Sequence, residues 1–208
     1  VSIEGETITV LFSSRNQNQH SSVGQMSFQL YGKEISGVQV QEEPVLEPGP
    51  SSAFDEHGIS IGNVLNIGGK SYLYYMGWSL KSDVPYRNQI GIAISGNSAF
   101  VKHKSNPIIS VSEQNPLTMS YPFVYKMPDQ SYAMIYGTQE KWPKQNEAMV
   151  HTFRRARSSD GLIWTLHPET VVAPWGNITA FSRPSVIYKS GKYRMWFSAR
   201  GERYCIYE

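Results

Sequence analysis

Hydrophobic and polar positions in this chain repeat in blocks. A short aromatic-rich stretch occurs four times: TITVLFSSR at 7–15, SYLYYMGW at 71–78, SYAMIYGT at 131–138 and KYRMWFSAR at 192–200. The copies start roughly 60 residues apart, the spacing of a repeated structural unit. Alternation inside each copy is only partial, and aromatic residues stand side by side, as in Tyr74-Tyr75. That pattern predicts strands buried on both faces. No segment combines a helical period with caps, and no alternation of strands with helices is present.

Three copies are preceded by a further strand and a tight turn. These are 59–67 with Gly68-Gly69-Lys70, 121–126 with Pro128-Asp129-Gln130, and 184–188 with Lys189-Ser190-Gly191. Gly and Asp at these places suit hairpins. A third strand follows each copy, at 23–30, 89–95, 149–158 and 204–207, and a fourth follows at 38–41, 99–103 and 163–166. Four antiparallel strands repeated radially make a propeller blade, packed against a neighbour on either side. The fold class predicted is therefore all-β: a β-propeller of four-stranded antiparallel blades. It forms one domain over 1–208, with blades at about 1–46, 55–109, 117–172 and 182–208. The first unit lacks its innermost strand and the last stops within its third, so two blades are full and two partial. The ends do not close, which favours an incomplete five-bladed propeller over a four-bladed ring.

Composition then removes several function classes. Charged residues make up 17% and aromatic residues 12%, the balance of a packed chain and not a disordered one. Net charge is +2, and the densest basic run divides between two faces: Arg155 and Arg157 share one, Arg154 takes the other. No nucleic-acid partner is expected from that pattern. The lone Cys205 excludes an intrachain disulfide and a cysteine metal site. The five histidines lack ligand spacing, so neither a metal nor another cofactor is expected. No apolar run is long enough to suggest a membrane span, and the first residues lack a signal-peptide pattern, which gives a cytoplasmic location as the expectation. Asn177-Ile178-Thr179 spells a glycosylation sequon and reads as chance.

Blade topology brings certain loops to one mouth: the entries to the inner strands, the ends of the second strands, and the loops from second to third. Arg15, His57, Asp55, Trp78, Tyr86, Arg87, Asn88, Asn115, Glu140, Trp142, Arg183 and Arg200 fall in that set. Arginines and carboxylates there suit sugar hydroxyls, and aromatic faces suit the apolar side of a sugar ring.

These same stretches carry a family resemblance. Phe54-Asp55-Glu56-His57-Gly58, then 72–78 (YLYYMGW), then 85–95 (PYRNQIGIAIS) resemble the arabinanase/levansucrase/invertase superfamily, as do Ser182-Arg183-Pro184-Ser185-Val186 and 193–201 (YRMWFSARG). The narrower likeness is to family 43 and family 32 glycosidases, and it covers nearly the whole chain. It implies a five-bladed propeller acting on glycosidic bonds through two acidic groups in a central cavity. The resemblance also puts the first acid on the innermost strand of the first blade, ahead of the residues present here. It implies an Asp-Pro step before the third inner strand, where this chain has Asn115-Pro116; Asn cannot ionise.

Asp55 and Glu140 are the catalytic candidates. Asp55 stands at the entry to an inner strand, where a turn-capping Asp gives the same signal. Glu140 stands near Trp142, whose burial would raise a carboxyl pKa; an exposed loop Glu is the alternative. Substrate-binding candidates are Arg183, Arg87, Asn88, His57, Trp78, Trp142, Asn115 and Arg200. Arg183 precedes a proline, which predicts extended backbone there. Ser158-Ser159-Asp160-Gly161 reads as a hairpin turn, similar to the Asp-box turns of sugar-cleaving propellers. The expected partner is an oligosaccharide or glycoside, cleaved by a glycosidase or transglycosidase, or bound by a non-catalytic carbohydrate-binding propeller.

Overall fold

The computed structural model describes residues 1–208 except Ser98, Gln114, Pro116, Glu140, Gln145, Asn146 and Ala148. The chain is all-β, with no helix among the described residues. Its strands fall into four consecutive antiparallel units. The first holds β1 (Ser2–Glu4), β2 (Thr7–Arg15), β3 (Ser21–Tyr31) and β4 (Glu34–Val40). The second holds β5 (Gly58–Ile67), β6 (Lys70–Ser79), β7 (Arg87–Ser95) and β8 (Phe100–Lys102). The third holds β9 (Met119–Lys126), β10 (Tyr132–Gln139), β11 (His151–Ser158) and β12 (Thr165–Val172). The fourth holds β13 (Ala180–Lys189), β14 (Lys192–Arg200) and β15 (Tyr204–Tyr207).

Within a unit, sequential strands pair antiparallel. Between units, one parallel pair joins β3 to β5 at Ser21 and Gly58, and another joins β11 to β13 at His151 and Ala180. Two extended sheets result, one of eight strands and one of seven, in a propeller-like arrangement.

Two strands differ from the sequence reading. The first unit has an inner strand after all: β1 turns through Gly5, at φ 60°, and pairs with β2. Three residues are too few to show a period. β12 runs to Val172, well past the expected 166, and tolerates Pro168 because it is the outer edge of its unit.

Packing explains the paired aromatics. Tyr75 joins Val23, Leu46, Phe54, Ile59 and Leu73 in a core between the first two units. Tyr74, its neighbour, points the other way into a core with Met119, Met134 and Tyr136, between the second and third. Ile135 then faces Phe153, Phe181 and Phe197, between the third and fourth. Successive side chains of a strand leave opposite faces, so each central strand contributes to two cores. Burying one such aromatic contributes roughly 1.5–3 kcal/mol.

The inner strands β5, β9 and β13 each carry a bulge. Tyr121 in β9 and Arg183 in β13 sit at these bulges with φ of 51° and 54°. Each precedes a proline, so the expectation of extended backbone at Arg183 is overturned. The extra residue of the bulge forces the left-handed conformation, and the bulge re-aims the side chain.

Candidate functional site

The strand ends carrying Arg15 (β2), Trp78 (β6) and Arg200 (β14) meet around a cleft of about 520 Å³ lined by residues of all four units. The first unit supplies Ser13, Ser14 and Arg15, and the second Ser60, Trp78, Tyr86 and Asn88. The third supplies Tyr121, Met149 and His151, and the fourth Ser182, Arg183, Arg200 and Tyr204. No carboxylate lines the cleft among the described residues.

Local bonds fix the lining. Trp78 Nε1–H donates to Ser21 Oγ at 3.0 Å, and the Arg15 guanidinium lies 5.6 Å over the Trp78 ring. Arg183 donates from Nη1 to the Ile61 carbonyl at 3.1 Å and from Nη2 to Ser60 Oγ at 3.2 Å. It also stands 5.5 Å over the Tyr121 ring. Asn88 is buried and donates to Ser120 Oγ at 3.2 Å. His151 is 7% exposed, and burial first, with the Arg200 charge beside it, pushes its pKa down. Burial likewise pushes the Tyr86 and Tyr121 phenols up, against the opposing pull of Arg200 and Arg183.

Of the residues expected at the mouth from sequence, Arg15, Trp78, Tyr86, Asn88, Arg183 and Arg200 line this cleft. Trp142 stands behind it, edge-on to Tyr86 at 4.9 Å between ring centroids. His57 packs beside Trp78 at 5.7 Å and faces Glu56 at 3.5 Å. The structure does not bring Arg87, Asn115 or Asp55 into the cleft. Arg87 pairs with Asp83 at 3.0 Å. Asn115 is fully buried, and its Oδ1 accepts from Tyr136 Oη at 3.4 Å and Arg154 Nη1 at 3.1 Å. Asp55, 1% exposed, faces a separate recess with Lys102, which it meets at 2.6 Å, and accepts from Tyr75 Oη at 3.2 Å. Both partners meet the same oxygen, Oδ2. Glu140 lies outside the described residues. Sequence reasoning missed Tyr121 and His151, which sit inside strands and gave no loop signal.

No family model matches the chain. The uncharacterized protein Rv1502 of Mycobacterium tuberculosis strain H37Rv is 36% identical over 208 residues, covering 99% of this chain and 69% of that protein. The chain belongs to the Rv1502 family. Solved structures resembling this Rv1502-family chain are glycoside hydrolases. The BT0996 RGII complex superposes with a TM-score of 0.76 at 16% identity, covering 99% of this chain. The GH32 β-fructofuranosidase BmSUC1 of Bombyx mori gives 0.71 at 18%, covering 96% of this chain and 40% of that one. A thermostable family-43 glycoside hydrolase gives 0.65 at 16%, covering 96% and 68%. The Rv1502-family chain spans 63% of the BT0996 structure's length. These neighbours are five-bladed β-propellers; the Rv1502-family chain is all-β, with its two sheets in a propeller-like arrangement.

Chemically, the cleft offers a stacking surface in Trp78, hydroxyls from several serines, and guanidinium donors from the first and fourth units. Such groups bind polyhydroxylated ligands by bidentate hydrogen bonds and ring stacking.

Proposed function

We propose that this chain is a glycoside hydrolase-like protein that engages a glycosidic substrate at the four-unit cleft. Its units are read as three four-stranded blades and one partial blade of a five-bladed propeller. The observation that carries the reading is the convergence of Trp78, Tyr86, Tyr121, Arg183 and several serines on one cleft of sugar size. The fold shared with glycoside hydrolases supports it.

Hydrolysis requires two carboxyl groups, one to protonate the leaving oxygen and one to attack or to activate water. Glu140 is proposed as one. Gln139, which precedes it, pairs across the sheet with His151 of the cleft. The second acid is proposed to come from a segment outside these 208 residues. A non-catalytic carbohydrate-binding role is the second reading, favoured by the lack of a lining carboxylate among the described residues.

Calorimetry with an oligosaccharide panel, followed by product analysis after long incubation of the full reading frame, separates the two. Product release that Glu140→Gln lowers about 10²-fold supports hydrolysis. Binding without product supports the second reading. Absence of sugar binding sinks both.

A further inference from the structure

Arg15, Arg183 and Arg200 line the cleft, and none of them forms a salt bridge among the described residues. Three arginines away from the cleft do meet carboxylates: Arg87 with Asp83, Arg157 with Asp129, Arg194 with Glu208. The cleft is thus a concentration of positive charge with no lining carboxylate to balance it among the described residues. A neutral sugar needs no such excess. Hydroxyls are bound as well by serines, amides and backbone, without three cations held near one another.

Nor does packing account for the three guanidiniums. Arg15 over Trp78 and Arg183 over Tyr121 are ring contacts, which orient a cation without neutralising it. Arg183 spends two of its five donors on Ile61 and Ser60, and so is held as a fork with donors to spare. Its backbone holds the left-handed conformation at the β13 bulge, a strained state of the kind that concentrates at ligand clamps. Arg200, on the same β13–β14 hairpin, stands close enough to Tyr86 and His151 to bear on both. The imidazole of His151, buried and held neutral, adds no charge of its own.

We propose that the cleft takes a glycoside bearing an oxyanion, a carboxylate or a phosphate on the sugar, held by Arg183 and Arg200 with Arg15 contributing from the first unit. The proposal rests on the carbohydrate reading above and specifies its substrate class. Guanidinium forks match both anions in bidentate geometry, so the two sources share one recognition chemistry.

The test is calorimetry on the full reading frame at low salt with four probes: digalacturonic acid, glucose 6-phosphate, neutral galactobiose and inorganic phosphate. At least one charged sugar is expected to bind about tenfold or more tighter than galactobiose, and to weaken as salt is raised. Which of the two binds identifies the anion. Arg15→Ala and Arg200→Ala are each expected to weaken that binding about tenfold, the worth of a charged hydrogen bond. Arg183→Lys, which keeps the charge and the fold but loses the fork, is expected to weaken it by less than Arg183→Ala. Unchanged melting temperatures confirm that the variants are folded. Galactobiose binding as tightly as both charged sugars overturns the anion assignment and leaves the carbohydrate reading standing. Inorganic phosphate matching glucose 6-phosphate, with no uptake of digalacturonic acid, overturns the glycoside part. Failure of every sugar overturns both readings, and arginine variants of undiminished affinity overturn the assignment to these side chains.

Discussion

Lys102 Nζ lies 2.6 Å from Asp55 Oδ2, and the pair fastens the linker between the first two units to the outer strand β8. Tyr75 donates to the same carboxylate oxygen from within the core, where burial, reinforced by the Asp55 charge, drives its phenol pKa up. Removing the lysine strands a carboxylate that is 1% exposed. Lys102→Met is expected to destabilise the chain by about 3 kcal/mol in urea unfolding. Asp55→Asn is expected to lower stability but leave sugar affinity within about twofold, because Asp55 does not line the cleft. A collapse of sugar binding in a folded Asp55→Asn protein would restore that residue to the site.

Tyr75 also covers Gly91, its cross-strand partner on β7, and the ring occupies the space where a side chain at 91 would begin. Gly91→Ala must push the ring into the filled core between the first two units. A loss of about 1–3 kcal/mol is expected from overpacking, read as a lowered urea midpoint with an unchanged slope.

The turn at Ser158-Ser159-Asp160-Gly161 is held by one carboxylate. Asp160 Oδ1 accepts from the Leu162 and Ile163 amides at 2.8 and 2.9 Å and from Ser158 Oγ–H at 2.9 Å. The amide bonds hold its pKa below the usual carboxylate value. Asp160→Ala is expected to cost about 1 kcal/mol, as loss of a comparable cap does. Because the folded pKa is the lower one, the stabilisation stands above the unfolded value and fades as pH falls through the folded value. The acid-unfolding limb of Asp160→Asn is expected to be shallower than that of the parent.

Acid acts on His151 in a different window. Its folded pKa lies below 6.5, so the unfolded chain takes up the proton first. Stability is therefore expected to fall as pH drops below about 6.5. Arg200 and the edge of Tyr121, 6.2 Å away, face the ring and offer no negative charge to reverse the sign. His151→Gln is expected to flatten the dependence of the urea midpoint between about pH 7.5 and 5.5. An equal slope in both proteins would assign the effect elsewhere.

The strands were legible in the sequence because Tyr74-Tyr75 and Ile135-Tyr136 feed cores on opposite faces, and the repeat of that arrangement announces the units. The cleft was partly legible: Trp78 and Arg200 follow from strand ends, and Arg183 from its place just before the expected strand at 184–188, although a bulge holds it within β13. The sequence could not place Asp55 inside or outside the cleft, because an acid at a strand entry gives the same signal whether it faces substrate or a lysine, and Lys102 is distant in the chain. Tyr121 and His151 were hidden because a bulge of β9 against β10 and a single parallel pair with Ala180 of the fourth unit set their positions.

The double duty of β6 and β10 has a further consequence. A substitution at Tyr74 or Ile135 cannot be confined to one interface, because strain passes through the strand to the opposite layer. The cleft side chains Arg15, Trp78, Arg183 and Arg200 belong to none of the three cores. Ligand preference in this architecture is thus free to drift while the spacing between units stays locked.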